Sequence, residues 1–527
     1  MSFILFFDKI HFVKRNYLLW IIFVLALIVR FYSFKESVYF GFDEARDAFI
    51  SQAIYKQGDL KLIGPAANGI TGLNHGVLHW YLIGLFYLLG QGNPFFVAVI
   101  YRFFNALALF PIFWITKRLF GSRPGYIASV IFAVSFEATQ YSLYIGNPSL
   151  AVWSWILLFV GAVIILKSKN KFWGLPLMAV GMATGVQFEL FLMTLLPLGI
   201  LILGLLRNEI KKINRKSWIL ATSLGVGIIS PYILAEFKNG FRSIGIILKL
   251  ASSPYNATST EPKWATYVQR WLLMLHDNFS PVEPKILWII GTILLCFMFY
   301  QAIKKSEYRL ILLWVFGGII VTFMGSYNVY YINVGIGTGM IIALSTLIDK
   351  ISRLNIFLGF LIIFLVIIGN VSRVINQNRD GLIEDIKTQQ YMQLSDEIAV
   401  VKKMYSWADG KSFTVRVTSM PYKIQTVWAY LFDQFGLPVY GYLPYYETGN
   451  VLGFPGYLPQ PSNGTTCVRF LLKEPGGGIP RVLFDKDEAE ENLFSSIDNS
   501  VQIGKFYLEK RISKDKICYS YNFPEIK

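Results

Sequence analysis

The stretch RFFNALALFPIFWITKRLFGSRPGYIASVIFAVSFEATQYSLYIGNPSL, residues 102–150, contains two long apolar runs joined by a short basic loop. A helix needs about 20 mostly apolar residues to cross a bilayer. The loop carries Lys117, Arg118 and Arg123, and loops on the cytoplasmic side of a membrane are enriched in such residues. The stretch therefore predicts two membrane spans that meet at a cytoplasmic loop.

The rest of the chain extends this pattern. Of its 527 residues, 54% are hydrophobic and 16% are charged, and the mean hydropathy is +0.47. A typical soluble domain is about one quarter charged. Apolar runs recur over residues 16–369, and no run after Val371 is long enough to span a bilayer. We predict a polytopic α-helical membrane domain over residues 1–371 and a soluble domain over residues 372–527.

The formal net charge is +16, but its distribution argues against nucleic acid as a partner. Lysine and arginine cluster in every second loop, as the positive-inside rule requires of cytoplasmic loops. We predict a multi-pass protein of the cell membrane with a cytoplasmic N-terminus. Residues 77–90 are left out of the count as an interfacial helix, and the odd number of spans places the C-terminal domain outside the cytoplasm. The eleven predicted spans cover residues 16–32, 95–116, 124–143, 149–166, 173–186, 191–206, 218–234, 286–301, 310–326, 332–347 and 354–371.

The first predicted outer loop, residues 33–94, contains the stretch YFGFDEARDAFISQAI with four ionisable residues: Asp43, Glu44, Arg46 and Asp47. The spacing of its apolar residues predicts a short helix on the membrane surface, with Asp43 as the N-cap. The charges then complement the helix dipole and the lipid headgroups. The alternative is that they form the reactive end of an enzyme.

Other polar side chains stand at the ends of predicted spans on the same side of the membrane. His75 and His79 are one helical turn apart, but no third ligand and no HExxH glutamate accompany them, so we predict no metal site. A carboxylate between apolar runs, such as Glu189, is costly and indicates a function. The group comprises His75, His79, Asn147, Gln187, Glu189, Glu236, Lys238, Arg242, Tyr330 and Tyr331.

The order of these segments over residues 16–331 resembles the GT-C glycosyltransferase superfamily. The similarity is to the branch of protein O-mannosyltransferases and lipid A aminoarabinose transferases. It rests on FDEARDAF, GPAANGITGLNHGVLHWYLIGLFYLLG, the stretch quoted first and SPYILAEFKNGF. The resemblance implies a membrane domain of the GT-C type, to which we add the eleven spans and the extracytoplasmic α/β domain predicted from the residues. It also implies transfer of a sugar from a polyprenyl-phosphate donor to an acceptor hydroxyl. We predict no cofactor.

The resemblance also implies roles for individual residues. Asp43 would be the general base of an inverting transfer, Glu44 would orient it, and Arg46 would hold the donor phosphate. Where the aminoarabinose transferases carry lysine and aspartate, this chain has His75 and Asn147, so their donor sugar is not carried over. The remaining predicted substrate-binding residues are Glu189, Glu236, Lys238, Arg242, Tyr330 and Tyr331.

Two other functions stay open at this point. A polymerase or ligase of lipid-linked glycans would use a donor that carries an oligosaccharide. A transporter of lipids or glycans would show internal repeats and charges at mid-membrane, whereas the charges here cluster at the predicted outer face. The acceptor, whether lipid, glycan or protein, does not follow from the sequence.

The soluble domain is predicted to be mixed α/β. Cys467 and Cys518 lie in strand-like runs on the predicted outer side, where disulfides persist, and we predict that they are bridged. The aromatic, turn-rich residues 440–464 form either a platform for a sugar or ordinary packing within the domain. Predicted helices cover residues 382–408 and 423–436, and predicted strands cover 412–419, 467–474, 481–485, 501–512 and 516–523.

Overall fold

The computed structural model describes residues 17–67, 72–252, 262–279, 284–319, 330–447, 451, 466–518 and 520. An N-terminal part of packed helices is followed by a part that contains a five-stranded sheet. The helices of the first part are α1 (Tyr17–Arg30), α2 (Phe42–Lys56), α3 (Leu78–Leu89), α4 (Pro94–Leu107), α5 (Leu109–Phe120), α6 (Ser122–Val134), α7 (Phe136–Leu143), α8 (Asn147–Lys167), α9 (Gly174–Phe188), α10 (Leu195–Leu205), α11 (Arg207–Ile210), α12 (Arg215–Lys238), α13 (Arg242–Ser252), α14 (Lys263–Phe279), α15 (Pro284–Lys304), α16 (Ser306–Phe316), α17 (Ile336–Leu354) and α18 (Ile356–Gln377). Short 3-10 segments lie at Leu190–Thr194, Tyr330–Asn333 and Asn378–Asp380.

Several of these helices have the length and apolar composition of membrane spans. Among the described residues, five helical stretches meet both criteria: Pro94–Phe120, Asn147–Lys167, Arg215–Lys238, Ile286–Lys304 and Ile356–Asp380. Shorter apolar helices lie at Tyr17–Arg30, Leu78–Leu89, Gly174–Phe188 and Leu190–Leu205. The chain is a helical membrane protein, and the count of eleven spans stays a prediction. The predicted span 310–326 extends beyond the described residues.

The predicted span 124–143 is divided at Ser135. The Ser135 hydroxyl accepts a hydrogen bond from the backbone N–H of Ala138 at 3.0 Å, as an N-cap does, and donates one to Asn278 at 2.6 Å. Helix α6 therefore ends and α7 begins at this serine. All eight residues of α7 are buried, and the helix leads directly to Tyr144.

Two buried arginines connect the first helices. Arg30 donates to the side chain of Asn105 at 2.8 Å and to the carbonyl of Ala133 at 3.0 Å. Arg102 donates to the carbonyl of Arg30 at 2.9 Å and to the hydroxyl of Ser37 at 3.0 Å. Because a buried charge is costly without partners, these contacts fix the end of α1 and the start of the first loop.

The second part of the chain is a mixed α/β domain, as predicted. Its strands are β1 (Phe413–Thr418), β2 (Tyr445–Tyr446), β3 (Val468–Lys473), β4 (Ser495–Ile503) and β5 (Phe506–Ser513), in the order β2-β1-β3-β5-β4. Strand β1 is parallel to β2 and β3, and β5 is antiparallel to β3 and β4. Its helices are α19 (Leu394–Ala408), α20 (Thr426–Leu431), α21 (Leu437–Tyr440) and α22 (Arg481–Phe494), with a π-helical turn at Phe432–Gly436.

Four local predictions for this domain were wrong. Residues 481–485 begin helix α22 instead of forming a strand, because the helix buries Asp487 and Glu491, and Glu491 pairs with Arg416 and Arg469 on the sheet. Residues 501–512 form a hairpin instead of one strand, because Gly504 takes a positive φ of 56° in a two-residue turn. Helix α19 begins at Leu394, so residues 382–393 are not helical. The predicted strand 516–523 is wrong as well, because the described residues 516–518 and 520 lie after the end of β5 and are not strand. The aromatic stretch 440–464 lies largely outside the described residues.

The disulfide prediction is confirmed. Cys467 and Cys518 are bonded, with their Cα atoms 4.9 Å apart. The bridge ties the start of β3 to the chain that follows β5.

Residues 381–393, which we call the connecting segment, join the two parts and run along the first loop. The backbone N–H of Phe40 donates to the carbonyl of Met392, and that of Leu394 donates to the carbonyl of Val38, both at 2.9 Å. Nearby, the ring of Tyr430 in α20 lies 4.9 Å from the ring of Phe49 in α2. The α/β domain therefore packs directly against the loop that carries Asp43.

Candidate active site

Helix α2 positions the charges of the first loop. Gly41 is its N-cap, with an extended backbone, and its N–H donates to Oε2 of Glu44 at 3.1 Å. The prediction that Asp43 caps the helix was wrong, because Phe42 already has a helical conformation. Asp43 lies in the first turn instead, and 44% of its side chain is exposed.

Two cations form ion pairs with the Asp43 carboxylate. Nη1 of Arg46 lies 2.8 Å from Oδ1 of Asp43, and Nζ of Lys387 lies 2.7 Å from Oδ2. Lys387 also lies 3.5 Å from Oε1 of Glu44, whose side chain is only 1% exposed. The result is a compact cluster of two carboxylates and two cations in which Asp43 is the accessible acid.

Lys387 belongs to the connecting segment, and the sequence analysis did not single it out. Its side chain is 13% exposed, and Nζ lies 4.9 Å from the ring centre of Tyr144 and 5.8 Å from that of Tyr39. It meets Asp43 across 344 residues of sequence. One signal was present: a lysine shortly after the last span, on the predicted outer side, departs from the positive-inside rule.

The two acids of the cluster differ in pKa. Burial acts to raise the pKa of Asp43, but Lys387 and then Arg46 outweigh it and hold that pKa well below its usual range. Burial raises the pKa of Glu44 to about 7, with Lys387 opposing and Asp43 reinforcing the shift. Burial acts to lower the pKa of Lys387, but the two acids raise it well above its usual value. Asp43 and Lys387 therefore carry charges, and Glu44 is the acid that takes up a proton more readily.

A second row of contacts holds Arg46 in place. Its Nη2 lies 2.7 Å from Oδ1 of Asp47, a side chain that is itself buried. Oδ2 of Asp47 lies 3.7 Å from Nδ1 of His79, and Nε2 of His79 lies 2.8 Å from the hydroxyl of Tyr101. His79 therefore lies next to Asp47, and its hydrogen bond is to Tyr101 of α4.

His75 lies deeper than a phosphate ligand at the surface would. Its Nδ1 accepts a hydrogen bond from the N–H of Leu190 at 3.1 Å and lies 3.6 Å from Oε1 of Glu189. Burial, with a smaller contribution from the Arg46 cation, lowers the pKa of His75 to about 3. The imidazole is therefore neutral near pH 7.

Glu189 and Asn147 lie beside His75. Glu189 is fully buried, and burial raises its pKa to about 8, against the opposing effect of the Phe191 backbone. The side-chain amide of Asn147 donates to the carbonyl of Phe188, at the end of α9. Glu189 and Asn147 therefore support the buried side of the cluster.

The two predicted tyrosines, Tyr330 and Tyr331, lie in different surroundings. The hydroxyl of Tyr330 donates to Oδ2 of Asp277 at 2.7 Å, and Asp277 also binds Arg373 at 2.6 Å. The ring of Tyr331 lies 6.5 Å from that of Tyr144, over which Lys387 lies. Tyr331 is thus adjacent to the cluster, and Tyr330 belongs to a buried network beneath it.

The other predicted binding residues lie at the junction of α12 and α13. Glu236 and Arg242 line a cleft of about 290 Å³, whose lining includes none of the residues around Asp43. Lys238 is exposed and is not part of that lining. Within the described ranges, no three His, Cys, Asp or Glu side chains gather as metal ligands would.

Together, the helical membrane part and the α/β domain that follows it have the GT-C fold. A family model described as dolichyl-phosphate-mannose-protein mannosyltransferase matches residues 74–234. The structure of ArnT from Cupriavidus metallidurans bound to undecaprenyl phosphate matches with a TM-score of 0.59 and 10% sequence identity, covering 94% of this chain and 98% of that chain. Its apo structure matches with a TM-score of 0.56 and 11% identity, over 93% and 97% of the two chains.

A more distant match is the apo oligosaccharyltransferase of Archaeoglobus fulgidus. Its TM-score is 0.46 at 11% identity, and the match covers 83% of this chain and 64% of that chain. No curated protein sequence matches the chain. The family model and the ArnT structures confirm the resemblance predicted from the sequence, and they show that the GT-C fold extends over nearly the whole chain.

Proposed function

We propose that this protein transfers a sugar from a polyprenyl-phosphate donor to an acceptor hydroxyl at the outer face of the membrane, with inversion at the anomeric carbon. The observation that carries the proposal is the Asp43 carboxylate, partly exposed and held between Arg46 and Lys387. The fold is shared with ArnT, whose structure contains undecaprenyl phosphate. The matching family model names a dolichyl-phosphate sugar.

The reaction needs both kinds of charge that the cluster provides. The acceptor hydroxyl attacks the anomeric carbon, the bond from that carbon to the phosphate oxygen breaks, and the hydroxyl proton passes to Asp43. Polyprenyl phosphate leaves with an additional negative charge. Arg46 and Lys387 are the cations placed to stabilise it, because charge-assisted hydrogen bonds to phosphate are strong.

The cations also explain how Asp43 becomes a competent base. While both cations bind its carboxylate, its pKa is low, and a carboxylate of low pKa accepts protons poorly. A donor phosphate that binds Arg46 and Lys387 takes over part of their charge, which raises the pKa of Asp43 in the donor complex. Glu44 already has a raised pKa, but its burial and its bond to the Gly41 N–H suit it to positioning.

The neighbouring rings complete the proposed donor site. Tyr144 and Tyr331 lie beside Lys387 and form a wall for the sugar. His75, Asn147, Glu189 and Tyr330 position that wall from behind. Apolar helices next to the site provide the surface that a prenyl chain requires.

The proposed topology places this site outside the cytoplasm, with the N-terminus inside and residues 372–527 outside. The bridge between Cys467 and Cys518 supports that side, because disulfides persist in oxidising compartments.

The test is to incubate the full-length protein in lipid nanodiscs with a panel of polyprenyl-phosphate monosaccharides and one lipid-linked oligosaccharide, in the presence of a membrane extract that supplies acceptor hydroxyls. We expect release of polyprenyl phosphate from at least one monosaccharide donor, and loss of that release in Asp43→Asn. Consumption of the oligosaccharide donor alone would identify a polymerase or ligase. Release that is equal in Asp43→Asn would reject the base assignment.

A further inference from the structure

Lys387 is held in place from both parts of the chain. On one side, its backbone N–H donates to the carbonyl of Ile383 at 3.1 Å, and the N–H of Ile383 donates to Oε1 of Gln140 in α7 at 3.1 Å. On the other side, Nε2 of Gln389 donates to Oε2 of Glu474 in the α/β domain at 2.7 Å. The lysine therefore lies between one anchor in the membrane part and one in the α/β domain.

The second anchor, Glu474, is fixed within the α/β domain. The residue is 3% exposed, and its side chain accepts two further hydrogen bonds, from the backbone N–H of Met420 at 2.9 Å and from Nε1 of Trp428 at 2.8 Å. Glu474 directly follows β3, and its own N–H donates to the carbonyl of Thr418 at the end of β1. Its contact with Gln389 therefore ties the connecting segment to the sheet.

The turn that follows Glu474 packs against the same part of the connecting segment. It comprises residues 475–479 and contains three consecutive glycines, and we call it the glycine turn. A Cβ on Gly477 would lie 2.7 Å from the carbonyl oxygen of Thr388 and 3.3 Å from Cα of Gln389. Because a side chain there would meet backbone, this close approach requires glycine. Glu474 and the glycine turn thus contact the connecting segment together.

The position of Lys387 depends on such contacts, because the chain around it has no regular structure. Residues 387–392 form neither helix nor strand, so no backbone ladder fixes them. Holding a lysine side chain in one geometry costs conformational entropy, and an ion pair contributes little unless its geometry is fixed. On an unanchored segment, Lys387 would therefore pair with Asp43 for less of the time.

We propose that Glu474 and the glycine turn position Lys387 against Asp43, so that the α/β domain helps to build the donor-phosphate site. Glu474 acts through Gln389 and the connecting segment, which makes it a positioning residue. The binding of phosphate by Lys387 rests on the proposed function, whereas the positioning of Lys387 does not.

The first test measures Lys387 without any sugar donor. The full chain in lipid nanodiscs is labelled briefly with sulfo-N-hydroxysuccinimidyl acetate. Peptide mass spectrometry compares acetylation of Lys387 with that of Lys402, an exposed lysine of α19. We expect Lys387 to react about threefold faster in Gln389→Leu and in Gly477→Ala, because each variant removes or displaces one contact of the connecting segment.

Gly476→Ala is the matched control for the glycine turn. A Cβ at Gly476 would meet no atom within 4 Å, so Lys387 should be labelled as in the wild type. In Gln389→Leu, Glu474 keeps its other two donors, so the α/β domain should stay folded, which thermal unfolding checks. Unchanged labelling in folded Gln389→Leu would overturn the role of Glu474. Unchanged labelling in Gly477→Ala, or an equal rise in Gly476→Ala, would overturn that of the turn.

The second test asks whether the effect passes through the lysine. In the transfer assay, Gln389→Leu should raise donor KM about threefold and leave kcat nearly unchanged, because bound phosphate draws Lys387 back into place. In a Lys387→Met background the same change should raise donor KM no further, since the contact it acts through is already lost. A full additional rise in that background would show that Gln389 acts by another route. A contact with only a structural role would lower the melting temperature and leave donor KM unchanged.

The two tests keep this proposal distinct from the catalytic one. If transfer fails with every donor while labelling of Lys387 rises in Gln389→Leu, the proposed function is rejected and the positioning of Lys387 stands. If transfer occurs but Gln389→Leu changes neither labelling nor donor KM, the positioning role is rejected alone.

Discussion

At the scale of single residues, Asp43 carries the proposed chemistry, and its replacement by asparagine is the sharpest test. Asparagine keeps the size of the side chain but cannot take the acceptor proton, so we expect turnover to fall by about 10²-fold or more. Gly41 caps the helix, and the ion pairs of Asp43 are partly exposed, so stability should fall by only about 0.2–1 kcal/mol. Initial rates of donor consumption and thermal unfolding measure the two effects.

The matched control is Asp59→Asn. Asp59 lies in the same loop and pairs with Lys61 at 2.8 Å, so losing its charge should leave turnover unchanged. Near-normal transfer by Asp43→Asn, or loss of activity only through unfolding, would show that the base is another residue.

Lys387→Met tests the cation that comes from the connecting segment. We expect donor KM to rise about tenfold, because a phosphate partner is lost. Lys387 holds the pKa of Asp43 down, so its removal raises that pKa. The base is then protonated at higher pH, and the acid limb of the kcat/KM profile, which reports the free enzyme, should move to higher pH.

Two variants make this test specific. Lys387→Arg keeps the charge and should restore both donor KM and the acid limb. Lys402→Met removes an exposed lysine of α19 and should change neither. If Lys387 has only a structural role, Lys387→Met will lower the melting temperature and leave the acid limb in place.

At the scale of helices and strands, the elements that were predicted correctly are those that depend on a local sequence pattern. The runs that became β1 and β3 are apolar and short, and helix α2 follows from the spacing of its alanines and Phe49. Helix α22 was missed because its acidic face is stabilised from outside, by Arg416 and Arg469 on the sheet. The five helical stretches that are long and apolar enough to span a membrane were recognisable, because length and composition decide them.

The candidate site was predictable only in part, for the same reason. Asp43, Glu44 and Arg46 are adjacent in sequence, so the motif and its helix place them together. Lys387 reaches them through the connecting segment, which pairs with the first loop by backbone hydrogen bonds at Phe40 and Leu394. No periodicity encodes such a pairing between distant segments.

The loop element between α2 and α3 depends on close backbone contact. The N–H of Gly64 donates to the carbonyl of His75 at 3.0 Å, and a Cβ on Gly64 would lie 2.2 Å from the carbonyl oxygen of Gly76. We therefore expect Gly64→Ala to destabilise the protein by about 1–3 kcal/mol, because the backbone must shift. Thermal unfolding in detergent measures the change.

Gly204→Ala is the control for that substitution. A Cβ at Gly204, in α10, would meet no atom within 4 Å, and alanine favours helix more than glycine does. The stability of Gly204→Ala should equal or exceed that of the wild type. If Gly64→Ala is as stable as the wild type, the fold does not depend on the close contact between the backbones of Gly64 and Gly76.

At the scale of the whole molecule, the three cysteines report on both parts of the chain. Cys467 and Cys518 are bridged, and Cys296 is an exposed thiol on α15. We expect intact-mass measurement after alkylation in denaturant without reductant to show one added label, and three after reduction. Three labels without reductant would exclude the bridge in the isolated protein.

The final prediction concerns which side of the membrane the α/β domain occupies. The first loop and the start of this domain are joined by backbone hydrogen bonds and by the pair of Asp43 and Lys387, so they must lie on the same side. A reporter that is active only in the cytoplasm and is fused after Lys527 should therefore be silent. The same reporter fused after Gly121, between α5 and α6, should be active. Activity after Lys527 would place both the domain and Asp43 in the cytoplasm, and the proposed donor would then have to be bound from the inner leaflet.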